Sequence, residues 1–181
     1  MIDWQPRDPR IVVALRPKPY CVVGSTADQL RAVLALLGPV RRGQRYCAYT
    51  DWEVTWRYAR APSPLGHRIL DARVEVSATV TFPRWQPPRS APLGLLTEWH
   101  EYAASVDQHE QGHVELAIDA GHRVLQALLD LPWAPTAEDL QAAAQSTAER
   151  VLGEARRREH GYDVETRHGA TQGVVFLRSA R

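Results

Sequence analysis

Two segments of the chain alternate between apolar and polar positions. From Tyr46 to Tyr58 and from Leu70 to Phe82, the even-numbered residues are almost all apolar or aromatic, and charged or hydroxyl residues stand between many of them. The even-numbered set comprises Tyr46, Ala48, Thr50, Trp52, Val54, Trp56 and Tyr58, then Leu70, Ala72, Val74, Val76, Ala78, Val80 and Phe82. A period of two predicts antiparallel strands with one buried face and one wet face.

Shorter patterns precede these strands. Ile11–Leu15 and Tyr20–Gly24 are typical of β-strands, and the prolines of Arg16-Pro17-Lys18-Pro19 are expected to separate them. Leu30, Val33, Leu34 and Leu37 then recur at helical spacing. Gly38-Pro39 is expected to end this first helix, because glycine suits the residue after a helix and proline bars continuation.

The second half of the chain has a helical pattern. The proline-rich segment Phe82–Pro92 marks the change, and Leu93–Leu131 then predicts one long helix or two helices with a bend. Another helix is expected from Thr136 to about His160, with Gly161 as its stop.

The last part of the chain differs again, and it completes the predicted fold. Tyr162–Gly173 is polar and predicts a loop, and Val174–Leu177 predicts a final strand. We therefore expect an α+β fold, in which a twisted, mainly antiparallel sheet with a C-terminal strand packs on a helical layer. A length of 181 residues suits one domain, with 1–92 mainly β, 93–160 mainly α, and 161–181 a site loop and strand.

Composition limits the classes of partner and the location that we expect for the chain. The net charge of +1 gives no indication of nucleic acid or of an anionic membrane, and no apolar run reaches the length of a membrane span. The N-terminal residues lack the layout of a signal peptide, which favours a cytoplasmic location for the chain as it stands. The two cysteines, Cys21 and Cys47, fit no zinc-binding spacing, and we expect two buried thiols rather than a disulfide.

The segment His109-Glu110-Gln111-Gly112-His113 carries the clearest chemistry. It reads H-E-x-x-H and lies inside the long predicted helix. Residues four apart lie about 40° apart around a helix, so both imidazoles can converge on one ion. Glu110 is close enough to act as a base on a water bound to that ion. The pattern predicts a zinc-hydrolase site with an open coordination position.

A catalytic zinc site usually needs a third protein ligand. Asp119 and His122 would point away from the histidine pair if the same helix continues. The glutamates of the next helix are not distinguished by their surroundings. The polar segment 162–173 is the better source, with His168 as the first choice and Asp163 as the alternative. If Asp163 is not a ligand, it can orient an imidazole, and Tyr162 can hydrogen-bond an oxyanion in the transition state.

These residues resemble a bacterial family of uncharacterised, predicted zinc-dependent proteases, catalogued as a domain of unknown function within the zincin superfamily. The matching motifs are Tyr20-Cys21-Val22-Val23-Gly24-Ser25-Thr26, Gly38-Pro39, Thr50–Tyr58, Phe82-Pro83-Arg84-Trp85, Trp99, Tyr102, His109–His113, Tyr162-Asp163, Thr166, His168-Gly169 and Gln172-Gly173. The resemblance implies a zincin-like metallohydrolase with His109 and His113 as ligands and Glu110 as base. Many relatives are exported, and this chain differs from them in lacking an evident signal peptide.

We therefore expect a zinc-dependent metallopeptidase that acts on a peptide or protein substrate. Zn²⁺ would be held by His109, His113 and His168, with Glu110 and Tyr162 as catalytic residues. Two other functions are open: a non-catalytic structural zinc module, and a metal-free domain that binds a partner through its Trp-rich strands. Neither the cleaved bond nor the oligomeric state follows from the sequence.

Overall fold

The computed structural model describes residues 8–176, and it has the α+β architecture expected from the sequence. Three long strands and three helices form most of it. Their bounds are β1 (Ile11–Val22), α1 (Ala27–Leu37), β2 (Val40–Arg41), β3 (Gln44–Arg45), β4 (Tyr49–Ser63), β5 (Gly66–Trp85), α2 (Leu93–Leu129) and α3 (Ala137–Thr166). A 3₁₀ turn, Ala170–Gln172, follows α3.

The main sheet is mixed, so the prediction of a mainly antiparallel sheet is corrected. Its strand order is β1-β5-β4, and β2 pairs antiparallel with β3 in a separate two-stranded sheet. The amide of Val74 donates to the carbonyl of Arg10, and the amide of Gln86 donates to that of Val22. The residue numbers of the two hydrogen-bonded partners increase in the same direction, so β1 runs parallel to β5. A period of two shows which face of a strand is buried, but it does not reveal the direction of the neighbouring strand.

β1 is one continuous strand rather than the two short runs expected from its prolines. Pro17 and Pro19 lie within Ile11–Val22, and β1 is an edge strand of its sheet. An edge strand tolerates proline because one of its sides makes no ladder hydrogen bonds. The alternating segments predict strands that end at Tyr58 and resume at Leu70, whereas only Pro64 and Leu65 separate β4 from β5.

The described residues divide into two compact units. The first comprises 8–14, 52–78 and 115–160, and its core residues include Ile11, Val74, Val76, Val124, Leu128 and Leu140. At Gly121 an added Cβ would lie 2.5 Å from Cγ2 of Val76, so α2 approaches the sheet more closely than a side chain would permit. Helix and sheet therefore pack in direct contact here.

The second unit comprises 15–51, 79–114 and 161–176. Its buried cluster combines aliphatic and aromatic side chains: Val22, Leu30, Leu34, Ala48, Trp85, Leu95, Trp99, Tyr102 and Val106. The indole of Trp85 donates to the carbonyl of Gly24 over 3.0 Å, and the Tyr20 hydroxyl donates to the carbonyl of Cys47 over 2.7 Å. The polar atoms of these large side chains are thereby satisfied inside an apolar cluster.

The C-terminal part differs from the prediction. α3 does not stop at Gly161 but continues to Thr166, whose hydroxyl donates to the carbonyl of Tyr162 over 2.7 Å. One glycine inside a helix costs only about 1 kcal/mol, which is too little to end it. Residues 174–176 form no strand, and Leu177 lies outside the described residues.

Two further expectations concern the thiols and the membrane. Cys21 and Cys47 are both free, but Cys21 is exposed, so the expectation of two buried thiols is wrong for Cys21. Among residues 8–176, no helix combines the length and the apolar character that crossing a bilayer requires.

Candidate metal centre

The two histidines of the H-E-x-x-H motif face each other on α2, as the helical spacing predicts. Both belong to the second unit, and both are buried, with His109 5% exposed and His113 6% exposed. Their Nε2 atoms lie 3.3 Å apart, and the ring planes are nearly perpendicular. The pair therefore presents two nitrogens toward one point in a buried position.

Asp163, from the last turns of α3, joins this pair. Its Oδ1 lies 3.2 Å from Nε2 of His113 and 3.5 Å from Nε2 of His109. Among the described residues, these three are the group of histidine, cysteine and acidic side chains whose ligand atoms lie within 4.8 Å of one another. The structure thus brings Asp163, the alternative third ligand, to the histidine pair.

The size of this triangle fits a metal ion. Zinc binds histidine nitrogen and carboxylate oxygen at about 2.0–2.2 Å, so tetrahedral ligands lie about 3.3–3.6 Å apart. The three edges here measure 3.2, 3.3 and 3.5 Å. Two imidazoles and one carboxylate are also a donor set that catalytic zinc uses. The residues present therefore suit zinc in both chemistry and spacing.

His168 is not part of this group, although the sequence favoured it as the third ligand. Its side chain is 55% exposed, and its Nδ1 lies 3.5 Å from Oδ1 of Asp163. The reason is the length of α3: residue 163 is still helical, whereas His168 lies in the turn beyond the helix with a φ of 52°. His168 therefore borders Asp163 from outside, with its ring 5.6 Å from that of Tyr46.

Tyr162 and Gln172 hold the His109 ring in place. The Tyr162 ring stacks on the imidazole at 5.2 Å, and its hydroxyl lies 3.2 Å from the carbonyl oxygen of His109. Nδ1 of His109 lies 2.9 Å from Oε1 of Gln172, whose amide nitrogen donates to the Tyr162 hydroxyl over 3.1 Å. An amide oxygen only accepts, so Nδ1 carries the proton and Nε2 offers its lone pair to the triangle.

The position of Tyr162 explains the glycine inside the motif. A Cβ added to Gly112 would overlap the Tyr162 hydroxyl and lie 2.9 Å from its Cε1. The absence of a side chain at this position therefore allows α3 to place Tyr162 against α2.

Glu110 is buried beside the triangle and is held by Thr50. Its residue is 5% exposed, and the Thr50 hydroxyl donates to its Oε2 over 2.6 Å. Burial raises the pKa of Glu110 above its ordinary value, although the hydrogen bond from Thr50 opposes the shift. Glu110 is thus a carboxyl group that can take up a proton more readily than an exposed one.

Asp163 shows the opposite behaviour. Burial opposes its ionisation, but the neighbouring imidazoles of His109 and His113 outweigh that effect and hold the pKa of Asp163 well below its usual range. The two carboxyl groups of the site therefore differ in pKa: the pKa of Asp163 is lowered, which keeps it ionised, and the pKa of Glu110 is raised, which favours its protonated form. This division suits an anionic ligand beside a proton acceptor.

Sequence reasoning did not single out Thr50 or Gln172 as site residues. Thr50 did leave a signal, because it is a polar residue on the apolar face of β4 and is only 3% exposed. A hydroxyl on a buried face needs a partner, and Glu110 is that partner. Gln172 was included only as part of the segment 162–173 and of the matching motifs, because its own residue type does not distinguish it from the polar residues around it.

A family model described as "Bacterial protein of unknown function (DUF922)" matches residues 18–169, which include the histidine pair, Glu110 and Asp163. The chain belongs to the DUF922 family. Membership confirms the resemblance to an uncharacterised bacterial family, while the zincin assignment stays a prediction. Gln172 lies just beyond the part of the chain that the DUF922 model matches. No curated protein and no solved structure matches the chain.

Proposed function

We propose that the chain is a zinc-dependent metallohydrolase that cleaves peptide bonds, with His109, His113 and Asp163 as zinc ligands and Glu110 as general base. One observation carries this proposal: a buried carboxyl group, held by Thr50, adjoins a ligand triangle of the size that zinc requires. A bound zinc ion would supply a Lewis acid and lower the pKa of a water molecule toward neutrality. The protein's own groups supply the remaining steps.

Glu110 moves the proton in this proposal. An Oε atom of its carboxylate accepts a proton from the attacking water and then gives it to the leaving amine nitrogen. The raised pKa of Glu110 favours the first transfer, because a more basic carboxylate competes better for a proton near neutral pH. Thr50 keeps the carboxylate oriented through its hydrogen bond to Oε2.

Tyr162 acts as a positioning residue rather than as an oxyanion donor. Its single hydroxyl hydrogen has two acceptors at hand, the carbonyl of His109 at 3.2 Å and Oε1 of Gln172 at 3.3 Å. Its ring stacks on His109, so the side chain fixes the orientation of a ligand. The oxyanion role expected from the sequence therefore forms no part of this proposal.

A catalytic site is favoured over a structural zinc module. Structural zinc is almost always held by four protein ligands, and the group within residues 8–176 has three. A structural site also has no need of the buried carboxyl of Glu110. A domain without any metal is disfavoured because it would bury the imidazoles of His109 and His113 and the carboxyl group of Glu110 with no ion to offset their desolvation.

The decisive experiment replaces Glu110 by Gln and compares zinc content with peptidase activity. Glu110→Gln should keep the fold and about one zinc per chain while hydrolysis of a quenched peptide library falls at least about a hundredfold. Glu101→Gln is the matched control, because it makes the same change at an exposed position of α2. A Glu110→Gln protein that cleaves as fast as wild type would overturn the role of Glu110, and a zinc-free wild type would overturn the proposal.

A further inference from the structure

A cavity of about 240 Å³ lies beside Glu110 in the second unit. Its lining comes from the end of β5 and from one face of α2, and it is mainly apolar. The lining residues are Val80, Phe82, Pro83, Arg84, Trp85, Trp99, Ala103, Val106, Asp107 and Glu110. The cavity is separate from the ligand triangle, because none of the three proposed ligands lines it.

The face of α2 connects this cavity to the proposed reaction. Trp99, Ala103, Val106 and Glu110 follow one another at intervals of four, three and four residues, which places them on one side of a helix. The last member of this row is the proposed base. A group that fills the cavity would therefore lie directly beside the carboxyl that handles the proton.

The lining indicates what the cavity can hold. Trp85, Trp99 and Val106 are buried, whereas Phe82 and Ala103 are only partly buried and can contact a ligand. The charged residues Arg84 and Asp107 are exposed, so the apolar part has no charged residue except Glu110. A volume of about 240 Å³ is below the range of about 300–1,000 Å³ that whole ligands need, and it suits one large side chain.

We propose that this cavity is a specificity pocket for a large apolar side chain, such as leucine, methionine or phenylalanine, on a residue next to the cleaved bond. This inference rests on the proposed peptidase function. The substrate class is then a peptide with such a residue at the cleavage point, and charged or very small residues at that position are disfavoured. Burial of the whole apolar side chain would contribute about 10–100-fold to the discrimination.

The test uses a mixed peptide library, with cleavage sites read by mass spectrometry. Wild type should cut next to large apolar residues about 10–100 times faster than next to glycine or alanine. Ala103→Phe and the milder Ala103→Leu add bulk to the cavity, so both should lose this preference while they still cleave. Ala104→Phe is the matched control, because it adds the same ring to an exposed neighbour on α2 and should keep the preference.

A second measurement does not depend on turnover. Methyl NMR of Glu110→Gln, titrated with N-acetyl-leucinamide, should shift the signals of Val80, Ala103 and Val106, and N-acetyl-glycinamide should leave them unchanged. Unchanged methyl signals with both compounds would overturn the pocket.

The two proposals can fail separately. If wild type cleaves peptides and Ala103→Leu folds but keeps the wild-type preference, the pocket is wrong and the peptidase stands. If wild type cleaves no peptide, the peptidase fails, and the NMR titration alone decides whether the cavity binds apolar side chains.

Discussion

Oδ1 of Asp163 lies 3.2 Å from Nε2 of His113, close enough for both atoms to bind one ion. This pair joins two helices whose site residues are far apart in the sequence. Its distance matches an edge of a zinc tetrahedron, as do the other two edges of the triangle. The identity of the third ligand is therefore the first property to test.

Asp163→Ala should abolish tight zinc binding, because it removes one of three proposed ligands. The purified variant should fall from about one zinc per chain to almost none after dialysis, as measured by elemental analysis. His168→Asn should keep its zinc, and asparagine suits this position because it tolerates the positive φ of 52°. If His168→Asn loses the metal and Asp163→Ala retains it, the assignment is reversed.

Thr50→Val should slow hydrolysis without removing the metal. Valine keeps the shape of threonine but leaves the Glu110 carboxyl without the 2.6 Å hydrogen bond that orients it. A loss of a supporting hydrogen bond of this kind typically costs about 10–100-fold in activity. The decrease should appear in kcat at unchanged zinc content, and Thr55→Val, at an exposed position of β4, should have no effect.

Gly112→Ala should destabilise the protein, because the new methyl group would overlap the Tyr162 ring. Overpacking of this kind costs about 1–3 kcal/mol, which lowers Tm by several degrees in a thermal melt. Gly161→Ala is the contrasting variant, since nothing lies within 4 Å of its added Cβ and it is inside α3. It should stabilise the fold by about 0.5–1 kcal/mol, and destabilisation there would contradict the continuous helix.

The two thiols should differ in reactivity. Burial raises the pKa of Cys47, which lowers the fraction of reactive thiolate, whereas Cys21 is exposed. Iodoacetamide should therefore label Cys21 roughly tenfold faster or more, as followed by peptide mass spectrometry at pH 8. In denaturant the two rates should converge, and equal rates in the native protein would contradict the burial of Cys47.

The sequence predicted the part of the site that depends on local geometry. The spacing of His109 and His113 along one helix places both rings on the same side, whatever the surrounding fold, and α2 does begin at Leu93 as the pattern predicts. These features needed no knowledge of which elements become neighbours.

The choice between His168 and Asp163 could not be made from the sequence. The choice depends on whether α3 ends at Gly161. The helix continues because its packing contributes more free energy than the small amount that one glycine in a helix costs. The same limit applies to β1, where the edge position of the strand accommodates Pro17 and Pro19. Tertiary context decided each of these points.

The parts of the centre are made at widely separated times during synthesis. Nδ1 of His109 pairs with Gln172, which lies 63 residues further along the chain, and Asp163 also follows both histidines. A growing chain on the ribosome therefore exposes the two imidazoles and the carboxyl of Glu110 before the remaining members of the centre exist. The proposed zinc site therefore cannot be complete until α3 has been made and has folded against α2, so chains that stop before Asp163 would lack the third ligand.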